Sequence, residues 1–210
     1  SNNVVQNTIQ SGSEGYIGLI DCNEKITTVL DNVSFINNVC DSNYGGGTGL
    51  KIVNTEGITF SKCSFINNVA LKSSNPRGKD YFSGDGGGIQ YRFSSSTSEV
   101  DIIFNECIFK RNKAVRHGGG IAIQTTKTVE ITKCIFEENI ANYNSQTKRI
   151  STHENYFDLK DEGRGGAIYI NPIFSYNNED FKMSRIDITG SQFLNNEGFD
   201  GYAIYIQTRI

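Results

Sequence analysis

The stretch Phe109-Lys110-Arg111-Asn112-Lys113-Ala114-Val115-Arg116-His117-Gly118-Gly119-Gly120-Ile121 decides the fold. It joins two phrases. In the first, the Phe phrase, an Asn stands three residues after the Phe and a small residue stands five residues after the same Phe. The second, the Gly phrase, is a run of glycines that ends in an aliphatic residue. Both phrases recur in this order along the 210-residue chain. Self-similarity of this kind is typical of a repeat architecture.

Outward from this stretch, the Phe phrase has five copies, which begin at Phe35, Phe65, Phe109, Phe136 and Phe193. A copy of the Gly phrase lies downstream of each, and these copies end at Leu50, Ile89, Ile121, Ile168 and Ile204. Apolar residues alternate with others before the Phe, as in Ile102-x-Phe104, and after the glycines, as in Ile121-x-Ile123. Period-two alternation of β-branched residues indicates strands with one buried face.

A single repeat of this length cannot bury its own apolar face, whereas stacked repeats bury all of them and pair their backbones as parallel strands. We therefore predict an all-β fold, a right-handed, three-sided parallel β-helix (a solenoid) with three short strands per repeat and loop insertions. Residues 1–210 are predicted to form one β-helix segment of about five to six coils, which we expect to belong to a longer solenoid.

The paired phrases FxxN and GG[AG][IL] resemble the repeats of polymorphic outer-membrane proteins, which are best known from chlamydial surface autotransporters. The resemblance covers the chain from about Gly15 to Ile206, and Thr48 and Tyr202 depart from it because they interrupt the glycines. It implies a parallel β-helix, display at the cell surface or outside the cell, and adhesion. It implies neither catalytic activity nor a cofactor.

Equivalent positions of stacked coils form columns with a spacing of about 4.8 Å. The Phe column is predicted to be an aromatic core stack. Asn residues three positions later are predicted to form a buried, mutually hydrogen-bonded ladder, because an amide can both donate and accept. The ladder residues are Asn38, Asn68, Asn112, Asn139 and Asn196.

A further column, two positions before each Phe, contains three of the five cysteines; its members are Val33, Cys63, Cys107, Cys134 and Ser191. We interpret these thiols as small buried groups. A straight column cannot surround a tetrahedral metal ion and no His shares it, so we predict no metal site. The single glycosylation sequon, Asn32-Val33-Ser34, is predicted to place Asn32 on the outside.

Charged residues lie four positions before the aliphatic of the Gly phrase in four coils: Asp85, His117, Arg164 and Asp200. One interpretation is a solvent-exposed ladder of charges, for which His117→Ala would cost less than about 0.5 kcal/mol. The alternative is an acid–base site, since polysaccharide-cleaving β-helix enzymes carry Asp, His and Arg on their outer face. If the chain is an enzyme, these four residues are the predicted catalytic groups; otherwise we predict none.

Three insertions lengthen the coils, at 71–83, 142–162 and 171–184. The first two leave from the same corner, and each carries a Tyr-Phe pair: Tyr81 and Phe82 in one, Tyr156 and Phe157 in the other. Insertions on one corner of a solenoid often form its binding face. These aromatic residues are therefore the candidate binding residues, although each pair could instead pin its own loop against the solenoid.

The net charge of −3 and the absence of a basic stripe argue against nucleic acid as a partner. No apolar run reaches the roughly 18 residues that a membrane span needs, so we predict no direct membrane insertion. The expected function is a structural and adhesive module of a larger surface or extracellular protein, whose partners are other segments of the same solenoid or assembly, and glycans. Two alternatives remain: a polysaccharide-active lyase or hydrolase, and a scaffold module in a large assembly.

Overall fold

The computed structural model of the chain describes residues 3–6, 9–12, 19–21, 27–42, 50–53, 57–72, 85–91, 101–123, 128–141, 143–144, 149–150, 163–171 and 185–206. All regular structure in these ranges is β-strand. None of the residues so described belongs to a helix that is long and apolar enough to cross a membrane.

The strands follow one another in six successive coils. The first two coils contain β1 (Asn3–Gln6), β2 (Ile9–Gly12), β3 (Leu19–Asp21), β4 (Thr27–Asp31), β5 (Val33–Ile36), β6 (Val39–Ser42), β7 (Leu50–Val53) and β8 (Gly57–Ser61). The next two contain β9 (Ser64–Ile66), β10 (Val69–Lys72), β11 (Ile89–Tyr91), β12 (Asp101–Asn105), β13 (Ile108–Lys110), β14 (Lys113–Ala114), β15 (Ile121–Ile123) and β16 (Thr128–Thr132). The last two contain β17 (Ile135–Glu137), β18 (Ile140–Ala141), β19 (Tyr143–Asn144), β20 (Arg149–Ile150), β21 (Ile168–Ile170), β22 (Arg185–Thr189), β23 (Gln192–Leu194) and β24 (Ile204–Ile206).

Equivalent strands of successive coils pair in parallel and form four sheets that run along the solenoid. The first sheet is β1-β5-β9-β13-β17-β23, the second β2-β6-β10-β14-β18, the third β3-β7-β11-β15-β21-β24 and the fourth β4-β8-β12-β16-β22. This is a parallel β-helix, as the repeat predicts. A complete coil has four short strands, one more than the three expected, because the residues after each Asn turn form a sheet of their own.

The predicted Phe column is confirmed. Phe65 lies in register with Phe35 and Phe109, and Phe136 with Phe109 and Phe193. Consecutive rings are stacked with centroids 4.8–5.1 Å apart and planes within 4°. Inward-facing residues of the third and fourth sheets pack around this stack and complete one apolar core.

The five ladder asparagines are buried, as predicted. Each of the first four donates from its side-chain amide to the Oδ1 atom of the Asn in the next coil, over 2.9–3.0 Å. The amides of the last four also donate to the carbonyl of the Phe three residues before the Asn of the previous coil. The ladder therefore satisfies polar backbone that the turn would otherwise bury without partners.

Two columns of left-handed residues make the tight turns on either side of the first sheet. The turn before it contains Asn32, Lys62, Glu106, Lys133 and Gly190, and the turn after it contains Asn37, Asn67, Arg111, Glu138 and Asn195, all with φ between 52° and 62°. Asn and Gly adopt this conformation readily, whereas charged side chains do so less often. In each conspicuous Asn pair of these turns, the first residue makes the turn and the second belongs to the ladder.

The N-terminal coil could not be located fully from the two phrases. Strand β1 pairs with β5 and places Val5 opposite Phe35, so the first copy of the Phe phrase has Val in place of Phe. Strand β3 belongs to this same coil, and it pairs with β7 so that Ile20 lies opposite Ile52.

Candidate functional site on the outer face of the third sheet

The predicted charge column is present. The amide of Gly86 donates to the carbonyl of His117 over 2.9 Å, and that of Gly118 donates to the carbonyl of Arg164 over 3.0 Å. Arg164 pairs in turn with Asp200 in a parallel bridge. Asp85, His117, Arg164 and Asp200 therefore occupy four successive coils in the predicted order.

The column is not the solvent-exposed ladder that was predicted. Only 3% of Asp85 and 2% of His117 are accessible to solvent. The Arg164 side chain is 14% exposed, and only Asp200, at 46%, faces solvent to a substantial degree. The expectation of exposure is wrong for Asp85 and His117, because a neighbouring arginine and the aromatic side chains of the third sheet pack against them.

Arg116 is the neighbour that the sequence reading missed. Its Nε atom lies 3.7 Å from Asp85 Oδ1, in an ion pair whose two side chains are both largely buried. The same Asp85 oxygen accepts the backbone N–H of His117 over 3.2 Å. The carboxylate of Asp85 is thus bound by a guanidinium and a backbone amide of the adjacent coil, which are the partners a buried charge requires.

One hydrogen bond and one ring stack hold His117 in place. Its Nδ1 atom accepts the backbone N–H of Arg164 over 3.2 Å, so Nδ1 carries no proton in this arrangement. Its Nε2 atom lies 3.4 Å from Arg116 Nη2, and its ring stacks on Tyr169 with centroids 4.4 Å apart. The imidazole therefore serves as a hydrogen-bond acceptor for the next coil and as an aromatic packing surface.

The aromatic side chains continue the column towards the last coil. The Tyr169 and Tyr205 rings stack at 5.9 Å, and the guanidinium carbon of Arg164 lies 4.8 Å from the centre of the Tyr205 ring. Burial raises the pKa of Tyr169 to about 12, and the nearby Asp85 carboxylate adds to this effect. Arg164 also approaches Asp200, with Nε and Oδ2 separated by 3.8 Å.

The third sheet is buried on both faces in its middle coils. Residues of β11, β15 and β21 that point away from the core, Gln90, Ala122 and Tyr169, are 3–5% exposed. The sequence reading assumed one buried face per strand. The signal for two was present, because Ile121-Ala122-Ile123 and Ile168-Tyr169-Ile170 are short, nearly continuous apolar runs, which are typical of strands covered on both sides.

The four candidate binding residues, Tyr81, Phe82, Tyr156 and Phe157, lie outside the described residues. Most residues of the insertions 71–83, 142–162 and 171–184 also lie outside the described residues. Within the second insertion, β19 and β20 pair as a short antiparallel hairpin.

The cysteine column is fully buried at Cys63, Cys107 and Cys134, as predicted. The Cys63 thiol donates to the carbonyl of Leu30, and the Cys107 thiol to the carbonyl of Phe60, both over 3.4 Å. Contacts with the two flanking thiols, together with burial, raise the pKa of Cys107. Across the described ranges, no three His, Cys, Asp or Glu side chains are placed to share a metal ion.

Comparison of the chain with protein-family models, with curated proteins and with solved structures found no match.

Proposed function

We propose that this chain is a structural and adhesive β-helix module of a larger surface or extracellular protein, and that it binds protein or glycan through its insertions. The parallel β-helix with its asparagine ladder is compatible with a structural module. The resemblance of the FxxN and GG[AG][IL] phrases to polymorphic outer-membrane protein repeats supports surface display. Other segments of the same solenoid or assembly are then the neighbours of its coils.

One observation carries the structural reading: the polar groups of the charge column are directed at each other. Asp85 Oδ1 is bound by Arg116 and by the backbone of His117, and His117 Nδ1 is bound by the backbone of Arg164. A general acid or base has to come within hydrogen-bond distance of its substrate. Only 2–3% of Asp85 and His117 is exposed, so a polysaccharide could not reach these groups. Their contacts support a structural role better than a catalytic one.

The shortest coil supplies a design for testing this proposal. Between β14 and the glycines it needs only Val115, Arg116 and His117, without any insertion. Grafting Val115-Arg116 in place of residues 71–84, and separately in place of residues 142–163, removes one insertion at a time and keeps the spacing of the shortest coil. Beads coated with the chain or with either graft would be tested on immobilised fibronectin, laminin, collagen and a glycan array.

We expect beads with the intact chain to adhere to at least one of these surfaces and at least one graft to lose that adhesion while retaining its β-sheet circular dichroism. Adhesion that both grafts retain would contradict binding through the insertions. Turnover of polygalacturonate or a related polymer that is abolished by His117→Ala would favour a lyase or hydrolase instead.

A further inference from the structure

A groove runs along the outside of the turn between the first and second sheets. It has a volume of about 570 Å³ and is lined by Asn37, Asn67, Val69, Arg111, Lys113, Glu138, Ile140, Asn195 and Glu197. These residues come from five successive coils, so the groove extends for about 19 Å at the usual strand spacing. The four residues of the charge column do not line it.

The two rows of side chains in the groove differ in chemistry. One row consists of the left-handed turn residues Asn37, Asn67, Arg111, Glu138 and Asn195. The other row starts the second sheet, where Val69 and Ile140 supply half-buried aliphatic surface. A rigid row of amides and charges beside an aliphatic strip can hydrogen-bond hydroxyl groups on one side and cover C–H groups on the other.

The charges of the groove balance. Two cations, Arg111 and Lys113, face two carboxylates, Glu138 and Glu197. Arg111 Nε lies 2.5 Å from Glu138 Oε2, and this hydrogen bond lowers the pKa of the Glu138 carboxyl. A polyanion needs an excess of positive charge that this groove lacks, so an uncharged ligand fits it better than an acidic polysaccharide or a nucleic acid.

The backbone at the groove is occupied. The backbone N–H groups of Asn67 and Arg111 donate to the carbonyls of Lys110 and Glu137 in the following coils. The backbone N–H of Lys113 donates to the carbonyl of Asn68. An extended peptide that binds by strand addition uses unpaired backbone groups at a sheet edge. Recognition in this groove therefore depends on side-chain amides, which suits a ligand rich in hydroxyl groups.

We propose that this groove binds a linear, uncharged oligosaccharide along the solenoid axis. Asn67 Nδ2 donates to Asn37 Oδ1 over 3.0 Å. The amide atoms of Asn67 and Asn195 that this bond does not use would bond the hydroxyls of the ligand, and Val69 and Ile140 would cover its C–H surface. The inference goes beyond the proposed function, because none of these lining residues belongs to an insertion.

Isothermal titration with cellohexaose, mannohexaose and maltohexaose tests the proposal, with hexagalacturonate as an acidic contrast. The variant Asn67→Gly/Asn195→Gly removes two amides without opposing the left-handed backbone, because Gly adopts this conformation freely. The matched control is Lys62→Gly, a left-handed residue of the turn on the other side of the first sheet, outside the groove. Circular dichroism would confirm that all three chains fold.

We expect at least one neutral hexasaccharide to bind, the double variant to weaken its affinity by about tenfold, and the control to leave it unchanged. The proposal is overturned if no neutral hexasaccharide binds, if the double variant binds as well as the control, or if hexagalacturonate binds this groove more tightly. The insertion grafts leave the groove residues unchanged, so a failure of binding through the insertions and a failure of the groove are distinguishable.

Discussion

Asn139 Oδ1 accepts two hydrogen bonds from Asn112, one from its backbone N–H over 3.1 Å and one from its side-chain amide over 3.0 Å. The amide of Asn139 donates to Asn196 and to the carbonyl of Phe109. Replacing Asn139 by Ala leaves several of these buried groups without partners, each at about 1–3 kcal/mol. We therefore expect Asn139→Ala to lower the free energy of unfolding by at least about 3 kcal/mol, measured by urea denaturation.

The control for the ladder is Asn195→Gly, which removes an exposed amide one position before the ladder residue Asn196 and keeps the left-handed turn. Its cost should stay below about 1 kcal/mol. Equal losses for the two variants would mean that the ladder contributes no more than the exposed turn.

The ladder and the Phe stack could be read from the sequence because both depend on one residue type at one spacing. Asn112 and Phe109 hold the same relation in five copies, and stacking converts this regularity directly into contacts. The additional strand of each coil, which forms the second sheet, could not be predicted in this way. Its copies β14 and β18 are only two residues long and have no alternation to detect.

The charge column was predicted in position and order but not in environment. Its burial depends on Arg116, which belongs to the coil without an insertion, and on Tyr169, which points outward from a strand expected to have one polar face. Arg116 does not recur at its position in the other coils, and Tyr169 recurs only as Tyr205 in the last coil. Contacts made by single residues of different coils leave no period in the sequence, so the repeat reveals the scaffold and not what packs on it.

The glycine at position 119 is required by the close approach of its neighbours. A Cβ atom there would meet the carbonyl oxygen of Gly166 and lie 2.5 Å from the backbone nitrogen of Ile140. We expect Gly119→Ala to cost more than about 3 kcal/mol or to prevent folding, because backbone of two other segments would have to move.

The matched variant for Gly119→Ala is Gly190→Asn. Gly190 has a left-handed backbone, and a Cβ there would meet only the Lys133 side chain, at 3.6 Å. Since Asn32 occupies the equivalent turn, this variant should lose less than about 1 kcal/mol. Thermal unfolding of both variants compares the stability lost through a backbone clash with the stability lost through a changed turn residue. Similar losses would contradict the packing argument.

The Tyr91 hydroxyl is buried in the core, and it has no hydrogen-bond partner among the described residues. Burial also raises the pKa of this side chain. Because an unsatisfied buried hydroxyl destabilises the fold, we expect Tyr91→Phe to leave stability unchanged or to raise it by up to about 1 kcal/mol. A loss above about 1 kcal/mol in urea denaturation would show that the hydroxyl has a stabilising partner.

Tyr169 predicts a loss of stability at alkaline pH. Its pKa is raised from 10.0 to about 12 in the folded chain by burial, so the unfolded chain loses this proton first. Stability is therefore full below about pH 10 and falls as the pH rises towards 12, by up to about 1.4 kcal/mol per pH unit. Urea denaturation at increasing pH measures the slope of the free energy of unfolding against pH. Tyr169→Phe should reduce this slope by the contribution of one titrating proton, and an unchanged slope would contradict the burial of the phenol.

His117→Ala tests the environment of the charge column. The ring lies 4.4 Å from the Tyr169 ring and accepts the N–H of Arg164, so alanine removes a buried packing surface and a hydrogen-bond acceptor together. We expect a loss of at least about 2 kcal/mol in the free energy of unfolding. A loss below about 0.5 kcal/mol would instead support the solvent-exposed ladder of charges that the sequence predicts.

Two further variants divide the His117 effect between its causes. His117→Phe keeps a ring against Tyr169 and removes the acceptor for Arg164, whereas His117→Asn keeps an acceptor near Nδ1 and removes the ring. Each should cost less than His117→Ala, because each retains one of the two contacts. If both cost as much as alanine, the imidazole acts through a partner that neither variant preserves, and the account of His117 as acceptor and packing surface fails.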